Sequence, residues 1–287
     1  MKKIVVVGSI NVDLVISCDH FPAIGETMFG NDFATFFGGK GANQAVCAAK
    51  LNTEVVMVGC VGNDDNGKAA LENLNKQRVN TDYISIIDQP TGVALITVAE
   101  NDNQIIVIKG ANAYVDERVV EKAIIELDHA NLVMLQLEIP LATVQMIVDH
   151  CYEKKIPVIL NPAPYQDIPV SMIDKATYIT PNKGELANMF KSDQLTSLAK
   201  YPNKLIMTAG SEGVYFHDGK QIVHLPSNKV NVVDTTGAGD TFNGALAVGI
   251  VNQLSLKEAI IFAQKAAAIA IGKMGAQTAM PTLNEIK

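Results

Sequence analysis

The sequence predicts an α/β fold built on a mostly parallel sheet, and three observations lead to this prediction. Apolar residues make up 48% of the 287 residues, which is enough for a large core. Continuous apolar runs alternate along the chain with stretches of helical periodicity, a pattern typical of parallel strands joined by helices. Two glycine-rich segments each open a predicted helix. Since α/β folds of this length often form one domain, we expect a single domain over 1–287.

The elements of the main sheet follow one another in a regular order. The first apolar run, KIVVVG at 3–8, predicts a buried strand. Ser255 and Glu258 form an S-x-x-E capping box, which predicts the start of a helix over 256–275. The other predicted strands lie at 55–61, 132–137, 157–160, 178–180 and 204–208, and the other predicted helices at 41–51, 66–77, 116–127 and 140–154.

Two regions interrupt this alternation. Residues 12–37 contain short alternating stretches without helical periodicity, and residues 92–109 predict a hairpin that turns at 100–103. These strands can pair as a separate small sheet with one apolar face, and a ligand lid or a dimer contact would cover that face. A further hairpin is predicted at 214–225. It turns on Asp218-Gly219, a dipeptide that type I′ turns favour.

Charge and cysteine usage narrow the functional classes. The net charge is −7, from 23 basic and 30 acidic residues, which argues against a nucleic-acid partner. The first apolar run spans only about six residues, too few for a signal peptide or a membrane span, and we expect a cytoplasmic protein with no membrane partner. The four cysteines have no metal-ligand spacing, and we expect them to be reduced and buried.

The stretch VNVVDTTGAGDTFNGA at 230–245 changes from an apolar strand to a helix through small residues. The N–H groups of Gly237, Ala238 and Gly239 would stand at the helix start, where they can hold a phosphoryl group. Asp240 would repel that anion, unless its role is to accept a proton from an attacking hydroxyl. A plain glycine-rich turn remains an alternative. Dinucleotide binding fits less well because Gly244 falls five residues after Gly239 instead of three, and the chain contains no Walker A sequence.

A second cluster, FGGKGANQAV at 37–46, also opens a predicted helix. Its glycines permit close approach of the backbone to a ligand. Lys40 and Asn43 offer donors to hydroxyl or phosphate groups. A plain turn explains this segment nearly as well when it is taken alone.

Together, the two clusters resemble the two signatures of the PfkB carbohydrate kinases: GGKGANQA at 38–45 and DTTGAGDTFNGA at 234–245. Within that family, six further segments resemble the ribokinase group in the same order. The resemblance covers nearly the whole chain. It implies a ribokinase-like fold, a central sheet flanked by helices, with a β-sheet lid formed by about 12–37 and 92–109. The six segments are GSINVD (8–13), TGVALI (91–96), GANA (110–113), QLE (136–138), LNPAP (160–164) and TPN (180–182).

The resemblance also implies an activity and a sugar site. It implies ATP-dependent phosphorylation of a sugar's primary hydroxyl, with D-ribose as the expected acceptor. Asp240 takes the position of the catalytic base, and the amides of Gly237, Ala238 and Gly239 take that of an anion hole. The lid is expected to exclude water and to contact a second subunit in a homodimer. The positions that match sugar ligands are Asn11, Asp13, Gly39, Lys40, Asn43, Glu138 and Asp240.

Nucleotide and cation positions follow from the same resemblance. Asn182 and Glu185 match an N-x-x-E pattern that organises Mg²⁺, and Gln264 stands where the family usually has Asn or His beside adenine. A monovalent cation, usually K⁺, activates many relatives, and Ala279 replaces a serine that commonly binds it. The remaining positions that match ATP contacts are Thr208, Gly210, Gly213 and Gly239. The positions that match K⁺ ligands are Asp234 and the carbonyls of Thr236, Ala270, Lys273 and Gly275.

Other functions stay open at the level of the sequence. A kinase for another sugar or a nucleoside shares the same motifs, although the absence of Trp and the 6% aromatic content slightly disfavour a nucleoside. A non-catalytic sugar-binding protein can keep Asn11, Asp13 and Glu138 but has little use for Asp240 beside an anion hole. The 189–207 segment is shorter than its counterpart in the ribokinase group, so we expect a trimmed peripheral helix away from the site.

Overall fold

A six-stranded parallel sheet forms the centre of the computed structural model, which describes residues 2–100 and 102–286. The strands are β1 (Lys3–Val7), β2 (Asn11–Ser17), β3 (Asp32–Gly38), β4 (Glu54–Gly62), β5 (Asn80–Ile87), β6 (Gly92–Ala99), β7 (Asp102–Ile108), β8 (Leu132–Leu135), β9 (Val158–Leu160), β10 (Tyr178–Ile179), β11 (Ile206–Thr208), β12 (Val214–His217) and β13 (Ile222–Leu225). The central sheet has the order β10-β9-β8-β1-β4-β5, and every neighbouring pair in it is parallel.

Helices cover both faces of this sheet. They are α1 (Lys40–Lys50), α2 (Asp65–Lys76), α3 (Glu117–Lys122), α4 (Ile124–Asp128), α5 (Leu141–Lys154), α6 (Val170–Lys175), α7 (Lys183–Phe190), α8 (Gln194–Lys200), α9 (Ala238–Val251), α10 (Leu256–Ile271) and α11 (Leu283–Ile286). Ile4 and Val6 enter one hydrophobic core, whereas Val5 and Val7 enter the other. A strand buried on both faces must be apolar at every position, which explains the continuous run of β1.

Several predicted elements differ from the structure. The predicted helix over 116–127 is divided at Ala123 into α3 and α4, and the predicted helix over 256–275 ends at Ile271, where Gly272 is the C-cap. The strand predicted at 204–208 is present as β11; it bridges in parallel to the β10 edge of the central sheet through Leu205 and Ile179, and it pairs antiparallel with β12 on its other side. Strand β5 was missed because, at the edge of the sheet, much of it is exposed and its apolar run is interrupted. The 189–207 segment, which is predicted to carry a trimmed peripheral helix, contains the seven-residue helix α8.

The strands of 12–37 and 92–109 pair with one another in a second sheet, of order β3-β2-β6-β7 in the described ranges. Ala99 lies opposite Asp102 across the predicted turn at 100–103, and Asn101 of that turn lies outside the described residues. Ile106, Ile108 and Phe33 of this sheet are 65%, 53% and 60% exposed.

The hairpin predicted at 214–225 is confirmed as β12 and β13, but its turn is not type I′. Gly219 has φ 95°, whereas Asp218 is not among the residues with positive φ. The Asp218 carboxylate instead accepts the N–H groups of Lys220 and Gln221, each at 2.8 Å. Ser255 and Glu258 form the predicted capping box at the start of α10.

Three of the four cysteines are buried, as predicted. Cys47, Cys60 and Cys151 are buried, Cys18 is half-buried, and all four are free thiols in the described chain. Among the described residues, no helix combines the length and the apolar character needed to cross a bilayer.

Candidate active site

The two glycine clusters meet where α1 and α9 begin. Gly39, with φ 86°, precedes α1, and Gly237, with φ 74°, precedes α9. Both values lie in the left-handed region that favours glycine. A Cβ at Gly39 would also lie 2.7 Å from the backbone nitrogen of Asn11, so this turn packs directly against strand β2. The local chemistry of glycine therefore sets the starts of both helices.

The start of α9 offers backbone donors to a ligand. Gly239 is exposed, and a Cβ built there would meet no atom within 4 Å. The N–H of Ala238 donates to the carbonyl of Thr235 at 3.2 Å. Among the described residues, the N–H groups of Gly237 and Gly239 make no such bond. Of the three predicted amide donors, Gly237 and Gly239 are thus the ones still available to an anion, and the helix dipole adds positive potential there.

Asp240 lies beside these amides and is 7% exposed. Its Oδ2 accepts a hydrogen bond from Asn43 Nδ2 at 2.9 Å, and its Oδ1 accepts one from Gln44 Nε2 at 3.0 Å. Both donors are consecutive residues of α1, which packs along α9. Each carboxylate oxygen keeps a second lone pair, so the group can still accept a proton.

Burial is the main influence on the Asp240 carboxyl, and it raises its pKa. The positive charge of Lys40 and the hydrogen bonds from Asn43 and Gln44 oppose this shift, while the charge of Glu138 reinforces it. A raised pKa makes the carboxylate a stronger proton acceptor, as a general base requires.

Lys40 is the cation at the centre of the acidic groups. Burial disfavours its charge, but the charges of Asp240, Glu138, Glu185 and Asp13 outweigh burial, and the pKa of Lys40 is raised. Its ammonium group therefore stays protonated and balances these carboxylates. A phosphoryl group that enters the site would meet this cation as well as the amides of α9.

The predicted sugar ligands converge on the same place from β2 and from the segment after β8. Burial raises the pKa of Asp13 to about 6. The charges of Glu138 and Asp240 add to this shift, and the charge of Lys40 opposes it. Glu138 accepts hydrogen bonds from the Ser9 hydroxyl and, at 3.0 Å, from the Lys40 N–H.

Asn11 is buried on β2, and its Oδ1 accepts from Asn112 Nδ2 at 2.7 Å. This bond leaves the Nδ2 donors of Asn11 for a ligand. Asn112 itself is fixed by Ile10, because its Oδ1 accepts the Ile10 N–H at 2.9 Å.

The predicted phosphate-side residues lie at the start of α7. Asn182 and Glu185 form a reciprocal capping box, with both hydrogen bonds at 2.8 Å. Burial raises the pKa of Glu185, and the Asn182 N–H and the charge of Lys40 oppose this shift. Thr208 forms a parallel bridge to Asn182, which joins the β11 end to α7.

The turn after β11 contains Gly210, with φ 55°, and Gly213, with φ 101°. A Cβ would meet nothing near Gly210 but would lie 2.1 Å from the Leu225 carbonyl oxygen at Gly213. Gln264 of α10 lies beside that carbonyl, since its Nε2 donates to Leu225 O at 3.0 Å and to Pro226 O at 3.3 Å. Within the described ranges, Gln264 makes no hydrogen bond to the acidic groups around Lys40.

The predicted cation ligands come from the turn before α9, from the last turn of α10, which contains Ala270, and from the turn that follows α10. Asp234 Oδ1 accepts from the Thr236 N–H at 2.9 Å, and its Oδ2 accepts from the Gly275 N–H at 2.8 Å. Burial acts to raise the pKa of Asp234, but these bonds and the Thr236 hydroxyl outweigh it, and the pKa is lowered. Asp234 thus stays ionised and ties the turn before α9 to the turn after α10. Ala279 is buried at 1% exposure and offers no hydroxyl.

Sequence reasoning missed the amide side chains that support the acidic residues. Gln44, Gln136, Asn112 and Asn161 lie inside segments that resemble the family, but nothing in those segments separates a supporting amide from a ligand. Gln44 Nε2 bonds Asn161 at 3.2 Å. Gln277 joins them only in the folded chain, where its Nε2 bonds Asn43 at 3.0 Å, and its distance along the chain leaves no local signal.

Open amides at a helix start, a buried carboxylate and a lysine together form the arrangement that phosphoryl transfer to a hydroxyl requires. This site, on a parallel α/β sheet, defines a small-molecule phosphotransferase. The model of the pfkB family carbohydrate kinases matches residues 1–283, and the chain belongs to that family.

Relatives and solved structures are similar over the whole chain. The ribokinase of Bacillus subtilis (strain 168) is 44% identical, with 100% of this chain and 99% of the relative covered. The ribokinase of Lactococcus lactis subsp. lactis (strain IL1403) is 46% identical, with 100% and 96% covered. Arabidopsis thaliana ribokinase, solved with ribose and ATP, is 32% identical with a TM-score of 0.90, and 99% and 97% of the two chains are covered. The predicted ribokinase-like α/β fold class is confirmed.

Proposed function

We propose that this protein transfers the γ-phosphoryl group of ATP to the primary hydroxyl of D-ribose and forms D-ribose 5-phosphate. The observation that carries the proposal is the position of Asp240, a buried carboxylate next to the amides of Gly237 and Gly239 and near Lys40. Full-length similarity to proteins named ribokinase, at 44% and 46% identity, supports ribose as the acceptor.

In the proposed reaction, Asp240 accepts the proton of the sugar hydroxyl as that oxygen attacks the γ-phosphorus. The bond from the γ-phosphorus to the bridging oxygen of ATP breaks, and ADP leaves. The N–H groups of Gly237 and Gly239 stabilise the negative charge on the transferred oxygens, because they are fixed in advance at the start of α9. Asn43 and Gln44 hold the carboxylate in place.

The sugar would be held by pairs of polar groups on its neighbouring hydroxyls. Asp13 and Glu138 supply acceptors, Asn11 supplies donors because its oxygen is already bonded to Asn112, and Gly39 and Lys40 close the other side. A site of this kind discriminates strongly against sugars that lack one of these hydroxyls. This matters because deoxyribokinases of Salmonella are 34% identical to the chain.

Two cations are part of the proposal. Glu185, a half-buried carboxylate beside Lys40, and Asn182 fit a Mg²⁺ held largely through water, and this ion neutralises charge on the phosphates when bound. Asp234 and the carbonyls of Thr236, Ala270, Lys273 and Gly275 fit a monovalent cation, because a hydrogen bond already joins the turn before α9 to the segment at the end of α10. We propose K⁺ as that ion. Without the serine hydroxyl at 279, its affinity is expected to be reduced.

We also propose a homodimer that forms through the second sheet. Leu95 and Ile106 are paired directly across β6 and β7, and Ile16 lies two residues along β2 from the residue that pairs with Leu95. Since side chains alternate between the two faces of a strand, all three lie on the same face of this sheet. They are 42%, 40% and 65% exposed, and a contiguous exposed apolar face of this kind is typical of an interface. A second copy of the chain would cover it and would keep the second sheet over the sugar site.

A coupled assay of ADP release tests the activity. Release should depend on D-ribose, and 2-deoxy-D-ribose, D-fructose, adenosine and water should serve as acceptors far less well. The product should be identified by NMR as the 5-phosphate. Preference for a different sugar would correct the substrate, whereas sugar binding without any ADP release would identify a non-catalytic sugar-binding protein.

A further inference from the structure

Gln136, at the end of β8, has an unusual environment for a buried amide. Its side chain is fully buried, and its Nε2 donates to Gln44 Oε1 at 2.7 Å. Its own Oε1 has no hydrogen-bond partner among the described residues. A buried carbonyl without a partner opposes folding, so an apolar side chain of the same size would be expected here if packing alone mattered.

Gln44 uses every hydrogen-bonding group of its amide. One Nε2 hydrogen goes to Asp240 Oδ1 at 3.0 Å and the other to Asn161 Oδ1 at 3.2 Å, while Oε1 accepts from Gln136. Asn161 is fixed in turn, because its Nδ2 donates to the Thr180 carbonyl at 3.1 Å. The orientation of the Gln44 amide therefore depends on partners at both ends.

We propose that Gln136 is a positioning residue that acts through Gln44 to hold the Asp240 carboxylate in the orientation that accepts the sugar proton. This inference rests on the proposed function, in which Asp240 is the base. It gives this buried amide a role although its carbonyl is unpaired, since its Nε2 is the partner that fixes Gln44.

Gln145 provides a matched control in the same chain. Its Oε1 is the other buried side-chain acceptor without a partner in the described ranges. Its Nε2 donates only to Asp149, at 2.8 Å along α5, and it contacts none of the residues around Asp240 by hydrogen bonds. Gln145→Met and Gln136→Met thus remove the same kind of group, but only the second removes a partner of Gln44.

The first experiment compares the melting temperature and the steady-state kinetics of these two variants. Both should keep the melting temperature of the unsubstituted protein within a few degrees, because removal of an unpaired buried carbonyl offsets the loss of the one hydrogen bond that each side chain donates. Gln136→Met should lower kcat about tenfold and change the ribose KM less than about twofold, since misplacing a reacting group affects the transition state more than ground-state binding. Gln145→Met should change neither constant. Unchanged kcat in Gln136→Met would overturn the proposal, as would a loss of kcat that merely parallels a loss of stability.

A second set of variants tests whether Gln136 acts through Gln44. If it does, Gln44→Met should lower kcat at least as far as Gln136→Met, and the double variant should be no worse than Gln44→Met alone. Effects that multiply in the double variant would show that Gln136 acts by another route, and would contradict the proposal.

A third measurement does not depend on activity. The titration of the Asp240 side-chain carbon, followed by NMR in protein with ¹³C-labelled aspartate, should move to higher pH in Gln136→Met because a loosened Gln44 stabilises the carboxylate less. Lys40, Glu138, Asp13 and Cys47 are the charged or titratable groups that face Asp240, and none is substituted. An unchanged titration would count against the proposal. If the unsubstituted protein released no ADP with any sugar, the proposed function would fail, while this titration would still decide the role of Gln136 toward Asp240.

Discussion

Replacing Asp240 with asparagine removes the proposed base but keeps the size of the side chain. In the folded protein, Asn43 and Gln44 each direct an N–H donor at one oxygen of this carboxylate, at 2.9 and 3.0 Å. An asparagine can place its oxygen toward only one of them, so its own NH₂ group must face the other donor. Asp240→Asn therefore perturbs both the proton acceptor and the local hydrogen bonds.

Two effects of different size are expected. Loss of a positioned general base lowers kcat by about 10²–10⁴-fold, or about 2.7–5.4 kcal/mol of activation free energy. The mismatched donor costs about 1–3 kcal/mol of folding free energy. The pKa of Asp240 is raised in the folded protein, so ionisation of this carboxyl opposes folding at any pH above its pKa in the unfolded chain. The neutral amide of asparagine does not ionise and therefore removes this unfavourable contribution. The melting temperature should consequently change little, although kcat falls by orders of magnitude.

The measurements are ribose-dependent ADP release for kcat, calorimetry for ribose affinity and thermal unfolding for stability. Asp193→Asn is a suitable control, because Asp193 caps α8 and asparagine caps a helix equally well. We expect ribose affinity to survive in Asp240→Asn. A variant with near-normal kcat would remove Asp240 from the role of the base, and a variant that no longer folds would show that the hydrogen bonds to α1 are mainly structural.

Three further predictions concern the sugar ligand, the cation and the interface. Because the pKa of Asp13 is raised to about 6, ribose affinity should fall as the pH decreases through that value and protonation removes an acceptor, and calorimetry on Asp13→Asn should give weak binding that depends less on pH. Turnover should rise with added K⁺, and Ala279→Ser should lower the K⁺ concentration needed; equal rates with and without K⁺ would contradict a cation site. Ile106→Glu, at 65% exposure on the second sheet, should convert a dimer into a monomer in light scattering, whereas Ile125→Glu, at 67% exposure on α4, should not. A dimer that persists in Ile106→Glu would place the interface elsewhere.

Local chemistry was sufficient to predict the starts of the helices that carry the site. Gly39 and Gly237 adopt left-handed φ values, and the sequences around them already indicated turns into helices. The apolar run of β1 predicted a strand covered on both faces for the same local reason. Strand β5 and the break at Ala123 were not predicted, because exposure at a sheet edge and the packing of neighbouring helices are not encoded in a short window.

Residues close together in the chain were therefore enough to predict the class of fold, the two glycine-rich helix starts and the acid that follows the second of them. The packed molecule was needed to show that Gln44 holds Asp240, 196 residues away, and that Gln136 holds Gln44. It also decided the raised pKa of Asp13 and Asp240, because desolvation and the fields of other charges come from all the elements that surround a group. Burial and long-range pairing are properties of the packed molecule, and no stretch of sequence contains them.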